Sequence, residues 1–362
     1  MSTSQPPQGS PVPPESPVAP SEKALAQALA VLRQSPDYQV LTRVPAATAM
    51  VFAEPSDPKE RTWTGVAIDT ETTGLAIHDQ DRAIEIGMVV FTYNATGILR
   101  VTRVLEERED PGAPLSPEVV KLTGLTDDLL AGRTFDRAAI QEVLEGANLL
   151  IAHNAAFDRV VMEKLFPICA QKPWACTQTQ IPWEAAGYNT KKLDYLAYRH
   201  GLFYDAHRAV ADTEALVAIL AAPPAPEIAA TLELKNPPAR LSLFSVLRYH
   251  ARHSAYHFWL MDLPYEQKDL AKAAGYLWSD GSIPGTRKAW HREWPAAQAR
   301  AAYLEAQSWY KTQAPIRVFE VSPLDRFSMR EGKPLVRADF LQALPPAVEE
   351  THAGDAGAPT PR

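Results

Sequence analysis

Apolar positions follow two rhythms along this chain. Between residues 61 and 105 they run with period two and in β-branched blocks, which predicts strands over 64–70, 83–93 and 98–106. The turn Asn94-Ala95-Thr96-Gly97 joins the last two strands, so the three form an antiparallel meander. A short helix starts at Ser116-Pro117-Glu118 and is broken by Leu122-Thr123-Gly124-Leu125-Thr126. Spacing near 3.6 then predicts helices over 136–145, 155–166, 191–200 and 208–220, with a buried strand at Leu149-Leu150-Ile151-Ala152. Nearer the start, Ser21 is placed to cap a helix over 22–34, and 38–41 reads as a short strand.

Composition sets bounds. The chain has 362 residues, 46% of them hydrophobic, enough for one to three domains with a sizeable core. The net charge of −7 excludes a protein that coats nucleic acid by bulk electrostatics and leaves room for a local basic patch. The 32 prolines gather at the ends and in linkers. These shifts predict a Pro-rich tail over 1–22, a helical extension and linker over 23–60, a main domain over 61–222, a linker over 223–239, an accessory domain over 240–343 and a second tail over 344–362. Cys169 and Cys176 are too few for a disulfide framework and read as buried thiols of a reducing cytoplasm. There is no 18-residue apolar run and no signal-peptide pattern, so a cytoplasmic protein without membrane contact is expected.

The candidate chemistry starts at the end of the first strand, in Ile68-Asp69-Thr70-Glu71-Thr72-Thr73-Gly74. Alternation points Asp69 and Glu71 the same way. Like charges side by side raise each other's pKa unless a cation lies between them. Alone, the pair is equally well read as solvated acids at a strand end. Two further acids sit where open α/β sheets gather ligands. Asp158 lies one turn into the helix after His153-Asn154, and Asp212 lies in the helix entered at His207. Four carboxylates without thiols form a hard-oxygen site suited to Mg²⁺ or Mn²⁺. Two such ions clamp the attacking and leaving oxygens of a phosphodiester, and His207 is the residue type that accepts a proton near neutral pH.

Asp-x-Glu-Thr-Thr-Gly, His-Asn-x-x-Phe-Asp and His-Arg-Ala-x-x-Asp, in this order, resemble the three motifs of the DEDDh 3′→5′ exonuclease superfamily, which includes bacterial proofreading subunits, ribonuclease T and oligoribonuclease. The resemblance covers residues 61–222. It implies an α/β fold with an RNase H-like sheet of five mixed strands flanked by helices, ahead of a small α+β C-terminal domain. It also implies two metal ions, Mg²⁺ or Mn²⁺, held by Asp69, Glu71, Asp158 and Asp212, with His207 as general base. Thr72, Thr73, Gly74, Leu75, Asn154 and Phe157 match positions that contact substrate. The implied reaction releases nucleoside 5′-monophosphates from DNA 3′ ends, in proofreading, repair or degradation. Exoribonuclease trimming of RNA ends and a non-catalytic nucleic-acid or polymerase adaptor are the alternatives. Where many relatives carry His-Gly-Ile-Thr, this chain has Thr123-Gly124-Leu125-Thr126, which leaves Leu125 to lie against a base.

Beyond the main domain the character changes. Residues 235–311 carry 11 Lys/Arg against 6 Asp/Glu and five of the eight tryptophans. Basic residues among aromatics suit single-stranded nucleic acid, and the same tryptophans equally suit the core of a small α+β domain. Arg240-Leu241-Ser242-Leu243-Phe244 resembles a sliding-clamp-binding pentapeptide and also reads as the first turn of an amphipathic helix running to His250. Glu85, an acid inside an apolar strand, reads as a partnered structural carboxylate.

Overall fold

The computed structural model describes residues 21–55, 57, 59–232, 241–283, 285–312 and 314–335. The expected tails up to residue 20 and from 344 onward, linker positions 233–239, Arg240 and positions 336–343 lie outside the described residues. The described residues fall into two compact units, one ending at Thr42 and the other starting at Arg43. In the first, helix α1 (Glu22–Leu32) is capped by the Ser21 hydroxyl, which accepts the Ala24 N–H, and none of its residues is buried. It stops two residues short of the predicted end, because Pro36 disfavours the helical region for Ser35. Residues 38–41, expected as a strand, are irregular.

The second unit holds two five-stranded sheets. The first consists of β1 (Trp63–Thr72), β2 (Ala83–Tyr93), β3 (Ile98–Arg108), β4 (Leu149–Ala152) and β5 (Trp174–Cys176). Its order is β3-β2-β1-β4-β5, with the β1–β2–β3 meander antiparallel and β4 and β5 added in parallel. The expected α/β mixed sheet is thus observed. Helices cover both faces, which is why β1 and β2 read as almost continuous apolar runs. Val66 and Ile68 point into a core shared with helix α3 (Arg137–Gly146) and helix α4 (Ala155–Leu165), and Ala67 points into one shared with helix α5 (Ala209–Ala221). Helix α2 (Pro117–Thr123) precedes α3 and ends at Gly124, whose φ of 70° reverses the chain. Ile68, Ile84, Ile86 and Met88 have no exposed surface, and each such burial contributes roughly 1.5–3 kcal/mol. Alternation along β1 then decides the site: Asp69 and Glu71 continue the Ala67 face toward α5, and Thr70 continues the Ile68 face toward α4.

Helix α6 (Leu243–Ala251) is opened by a capping box between Ser242 and Ser245. It does not belong to the second sheet. Leu243, Phe244, Val246 and Leu247 are buried in the first sheet's core, with Phe244 edge-on to Phe91 and Tyr93. The helical reading of this stretch therefore holds, and a sliding-clamp contact is not shown. Leu243 and Phe244 are fully buried inside the molecule.

The second sheet is entirely antiparallel and comprises β6 (Ala255–Leu260), β7 (Leu277–Asp280), β8 (Lys288–Pro295), β9 (Ile316–Val321) and β10 (Lys333–Leu335), in the order β10-β9-β6-β8-β7. Helix α7 (Ala296–Trp309) seats Ala299, Ala302, Tyr303 and Ala306 on it. Trp259 is buried, and Trp290, Trp294 and Trp309 pack against the same body. Among the five tryptophans of this region only Trp278 is half exposed, at 52%. Four of the five thus take part in this packing, as the core reading expects, and Trp278 is not among them.

A strap over 322–330 ties the second sheet to the first. Arg159 of α4 has no exposed surface. Its guanidinium donates to the carbonyls of Leu324 and Arg326 and to Glu163, which Arg330 also grips. Arg326 donates to the carbonyls of His250 and His253 at the end of α6 and lies 3.0 Å from Glu293 of β8. The Trp174 N–H of edge strand β5 donates to the Pro323 carbonyl. No helix among the described residues is long and apolar enough to cross a membrane.

Candidate active site

Asp69 pairs with Gly87 and Glu71 with Glu85 across β1 and β2. Gly87 is required by what lies above it. A Cβ there would stand 2.2 Å from the Ala209 carbonyl carbon and 2.5 Å from the Val210 nitrogen. The notch lets the start of α5 sit directly on the strand and brings Asp212 down to the two strand acids. Oxygens of Asp69, Glu71 and Asp212 lie within 4.8 Å of one another.

Asp158 reaches the site from the other side. Its Oδ1 accepts the Thr70 N–H at 3.0 Å and the Thr70 hydroxyl at 2.8 Å, as expected of a residue on the opposite face of β1. Asp158 therefore stands beside the three-carboxylate cluster rather than within it. Asp212 is held at both oxygens, by the Tyr204 hydroxyl at 2.8 Å and by the Arg208 N–H at 3.1 Å. His207 precedes that contact, is exposed, and has a φ of 65°.

Burial and mutual repulsion set the electrostatics of the cluster. Asp69 is pushed well above the ordinary carboxylate range by burial and by Asp158, Asp212 and Glu71. Glu71 rises from its ordinary 4.5 to about 8, through burial, Asp212 and Glu85. Burial raises Asp158 to about 7 against the opposing hydrogen bonds from Thr70. It raises Asp212 as well. Glu85 goes the other way: burial alone would raise it, but hydrogen bonds from Arg108, Ala209 and Arg208 hold it low. Three converging carboxylates that repel one another fit a divalent cation bound by oxygen, as in Mg²⁺ or Mn²⁺ sites.

These shifts have a testable sign. The Glu71 carboxyl holds its proton up to about pH 8 in the folded chain against 4.5 when unfolded. Between those values the folded state binds more protons, so stability of the metal-free protein falls as pH rises through that window. Added Mg²⁺ or Mn²⁺ should reverse the loss, and a cation at a hundred times its Kd adds about 2.7 kcal/mol. Thermal unfolding with and without metal should show a larger gain at about pH 8 than at about pH 5. Equal gains at both pH values would contradict the assignment.

The cluster opens into a cleft of about 830 Å³. Asp69, Glu71, Asp158, His207 and Asp212 line it, as do Thr72, Thr73, Gly74, Leu75, Asn154 and Phe157. Every residue singled out from the motifs thus meets in one place. The Thr72-Thr73-Gly74 turn is braced by Asp81, which accepts the Thr73 hydroxyl and the Ala76 N–H. A Cβ at position 74 would stand 2.5 Å from that carboxylate, so a larger residue there would displace the Asp81 brace. Leu75 projects from the turn at 85% exposure. Leu125 does not reach the cleft. It has no exposed surface and packs with Ile84 and Leu130, so its expected place against a base is corrected. Leu122, at the end of α2, lines the wall instead and is 54% exposed.

Tyr204, Gln178 and His153 also line the cleft and were not picked out as site residues. Tyr204 lies in a loop with no spacing signature. His153 bridges Thr177 and the Lys191 carbonyl, and burial holds its pKa low, so it serves as a neutral brace. Lys192 lines the wall, and its neighbour Lys191 pairs with Glu184.

Residues 66–220 match the exonuclease family model. The DNA polymerase III subunit epsilon of Treponema pallidum is 32% identical over 160 residues, which cover 40% of this chain and 69% of that one. This chain belongs to the DEDDh exonuclease superfamily. The PolC-type DNA polymerase III of Bacillus subtilis is 31% identical over 166 residues, 43% of this chain and only 11% of that much longer polymerase. Among solved structures, exonuclease X in complex with 5′ overhanging duplex DNA aligns over 50% of this chain and 99% of its own, at 21% identity and a TM-score of 0.36. Members of the superfamily are nucleases, their ligands are nucleic acids, and divalent metal ions are their usual cofactors.

Proposed function

We propose that this DEDDh exonuclease removes nucleotides from DNA 3′ ends, one at a time, as nucleoside 5′-monophosphates. The observation that carries the reading is the convergence of Asp69, Glu71 and Asp212 within 4.8 Å on a cleft that Asp158 and His207 also line. The preference for DNA is supported by the relation to a DNA polymerase subunit.

Asp69, Glu71 and Asp212 would hold one cation, with Asp69 shared with a second that Asp158 helps to place. When bound, Mg²⁺ or Mn²⁺ supplies the positive charge that stabilises the phosphodiester as its bond is cleaved. The chain's own residues do the rest. His207 accepts a proton from the attacking water, whose oxygen bonds to the terminal phosphorus. The bond from phosphorus to the 3′-oxygen of the preceding nucleotide breaks, and that oxygen takes up a proton. Leu75, exposed at the cleft's edge, lies against the terminal base, with Thr72, Thr73 and Gly74 beneath it and Asn154 and Phe157 on the facing wall. Tyr204 and the Arg208 N–H fix the orientation of Asp212.

The test is a 5′-labelled single strand incubated with Mg²⁺ or Mn²⁺. A descending ladder with mononucleotide 5′-phosphates is expected, and EDTA should stop it. His207→Ala should slow the ladder by about 10²-fold or more, as loss of a general base does, with metal affinity nearly unchanged. A labelled 5′ end released in the first turnover would overturn the polarity. A faster ladder on the matched RNA strand would overturn the DNA preference. The adaptor alternative loses support from the intact carboxylate set.

A further inference from the structure

Among the described residues no hydrogen bond holds the His207 side chain as Thr70 holds Asp158, and its charge acts on Asp212. What fixes this residue is the turn that carries it, and the anchor of that turn is a carboxylate outside the four acids. Glu85 of β2 has no exposed surface and lies directly across from Glu71. Its Oε1 accepts from Arg108 Nε at 2.8 Å and Arg208 Nη2 at 3.2 Å, and its Oε2 accepts from the Ala209 N–H at 3.0 Å. Arg208 Nη2 also donates to Glu106 at 2.8 Å. Both oxygens of one buried carboxylate are therefore spent on the two residues that follow His207 and on a strand beneath them. Gly87, two residues along the same strand, supplies the notch that admits Ala209.

The backbone of His207 needs such an anchor. Its φ of 65° lies in the left-handed region, which a non-glycine residue holds only where the surroundings over-determine it. On one side the turn is fixed by Asp212, which accepts the Arg208 N–H. On the other it is fixed by Glu85. We propose that Glu85, acting through Arg208 and the Ala209 N–H, is the positioning residue for His207. This rests on the reading of His207 as general base. It assigns Glu85 no contact with substrate or metal.

The two roles separate in a double-mutant cycle. Full-length protein carrying Glu85→Gln, His207→Ala or both is assayed on a single-stranded oligonucleotide with saturating Mg²⁺. Kcat, KM and thermal unfolding are followed in parallel. Glu85→Gln should lower kcat by roughly 10–100-fold, the effect typical of a residue that orients another, with KM within about twofold. In the His207→Ala background it should change kcat by less than about twofold. A multiplicative loss in the double variant, beside a slow His207→Ala, would place Glu85's influence elsewhere and overturn this inference alone. An unchanged kcat in Glu85→Gln would do the same. A normal rate for His207→Ala would remove the general-base reading, and the inference with it. Arg208→Gln cuts the link from its more exposed end, so it serves if Glu85→Gln does not fold, and it should give the same pattern.

Discussion

Asp69→Asn should abolish exonuclease activity while raising the stability of the metal-free protein. Both effects follow from its position. Asp69 is the acid that feels Asp158, Asp212 and Glu71 together, and burial adds to their repulsion. Replacing it with a neutral isostere removes that repulsion, so the unfolding midpoint without metal should rise. The same change takes away the carboxylate that, in the proposed reading, both cations would share. Charge stabilisation by metal is worth several kcal/mol, and each ~1.36 kcal/mol is tenfold in rate. A fall of about 10³-fold or more is therefore expected, with the metal-induced gain in unfolding temperature largely lost. Single-turnover rates and thermal melts on the same preparation check both halves. An active Asp69→Asn protein would sink the site assignment, and a destabilised one would sink the electrostatic account of it.

Arg159→Met should leave a folded but much weaker protein. The guanidinium is fully buried, and its loss strands the Arg326 carbonyl, leaves the Leu324 carbonyl to Arg330 alone and removes one of the two cations on Glu163. Breaking a buried charged network from one side costs about 3–5 kcal/mol. The unfolding midpoint should drop by on the order of 10 °C, and the denaturant midpoint should fall with it. Arg159 directly follows Asp158 in α4, so activity should decline more steeply on warming than in the native chain. A change in unfolding free energy smaller than about 1 kcal/mol would mean that the strap contributes little to holding the two sheets together.

The parts of this structure that were legible in the sequence are those carried by local spacing. Asp69 and Glu71 sit two apart on a strand, and His207 and Asp212 sit around a helix start, so their convergence needed only the alternation of β1 and the phase of α5. Leu125 and Leu122 show where such reasoning stops. Both are leucines of one short segment, and only the left-handed Gly124 between them decides which is buried. Glu85 was legible as a partnered acid. Its partners were not, because Arg108 is 23 residues away and Arg208 is 123. Arg159 leaves still less trace. It binds main-chain oxygens about 165 residues further on, and a carbonyl has no signature in a sequence. The tryptophans after residue 235 carried a true signal of packing, but composition alone could not tell rings turned into a core from rings turned toward a ligand.

The bond from Trp174 to Pro323 has a consequence for how the protein behaves in company. β5 is the last strand of its sheet, and a bare outer strand is a template on which a second chain can add. Here α6 packs against that strand and the strap takes up its first N–H. The C-terminal region thus acts as a selvedge, finishing the nuclease sheet so that it does not fray into aggregates. A fragment cut at residue 222 would keep all the acids of the cleft and lose the hem.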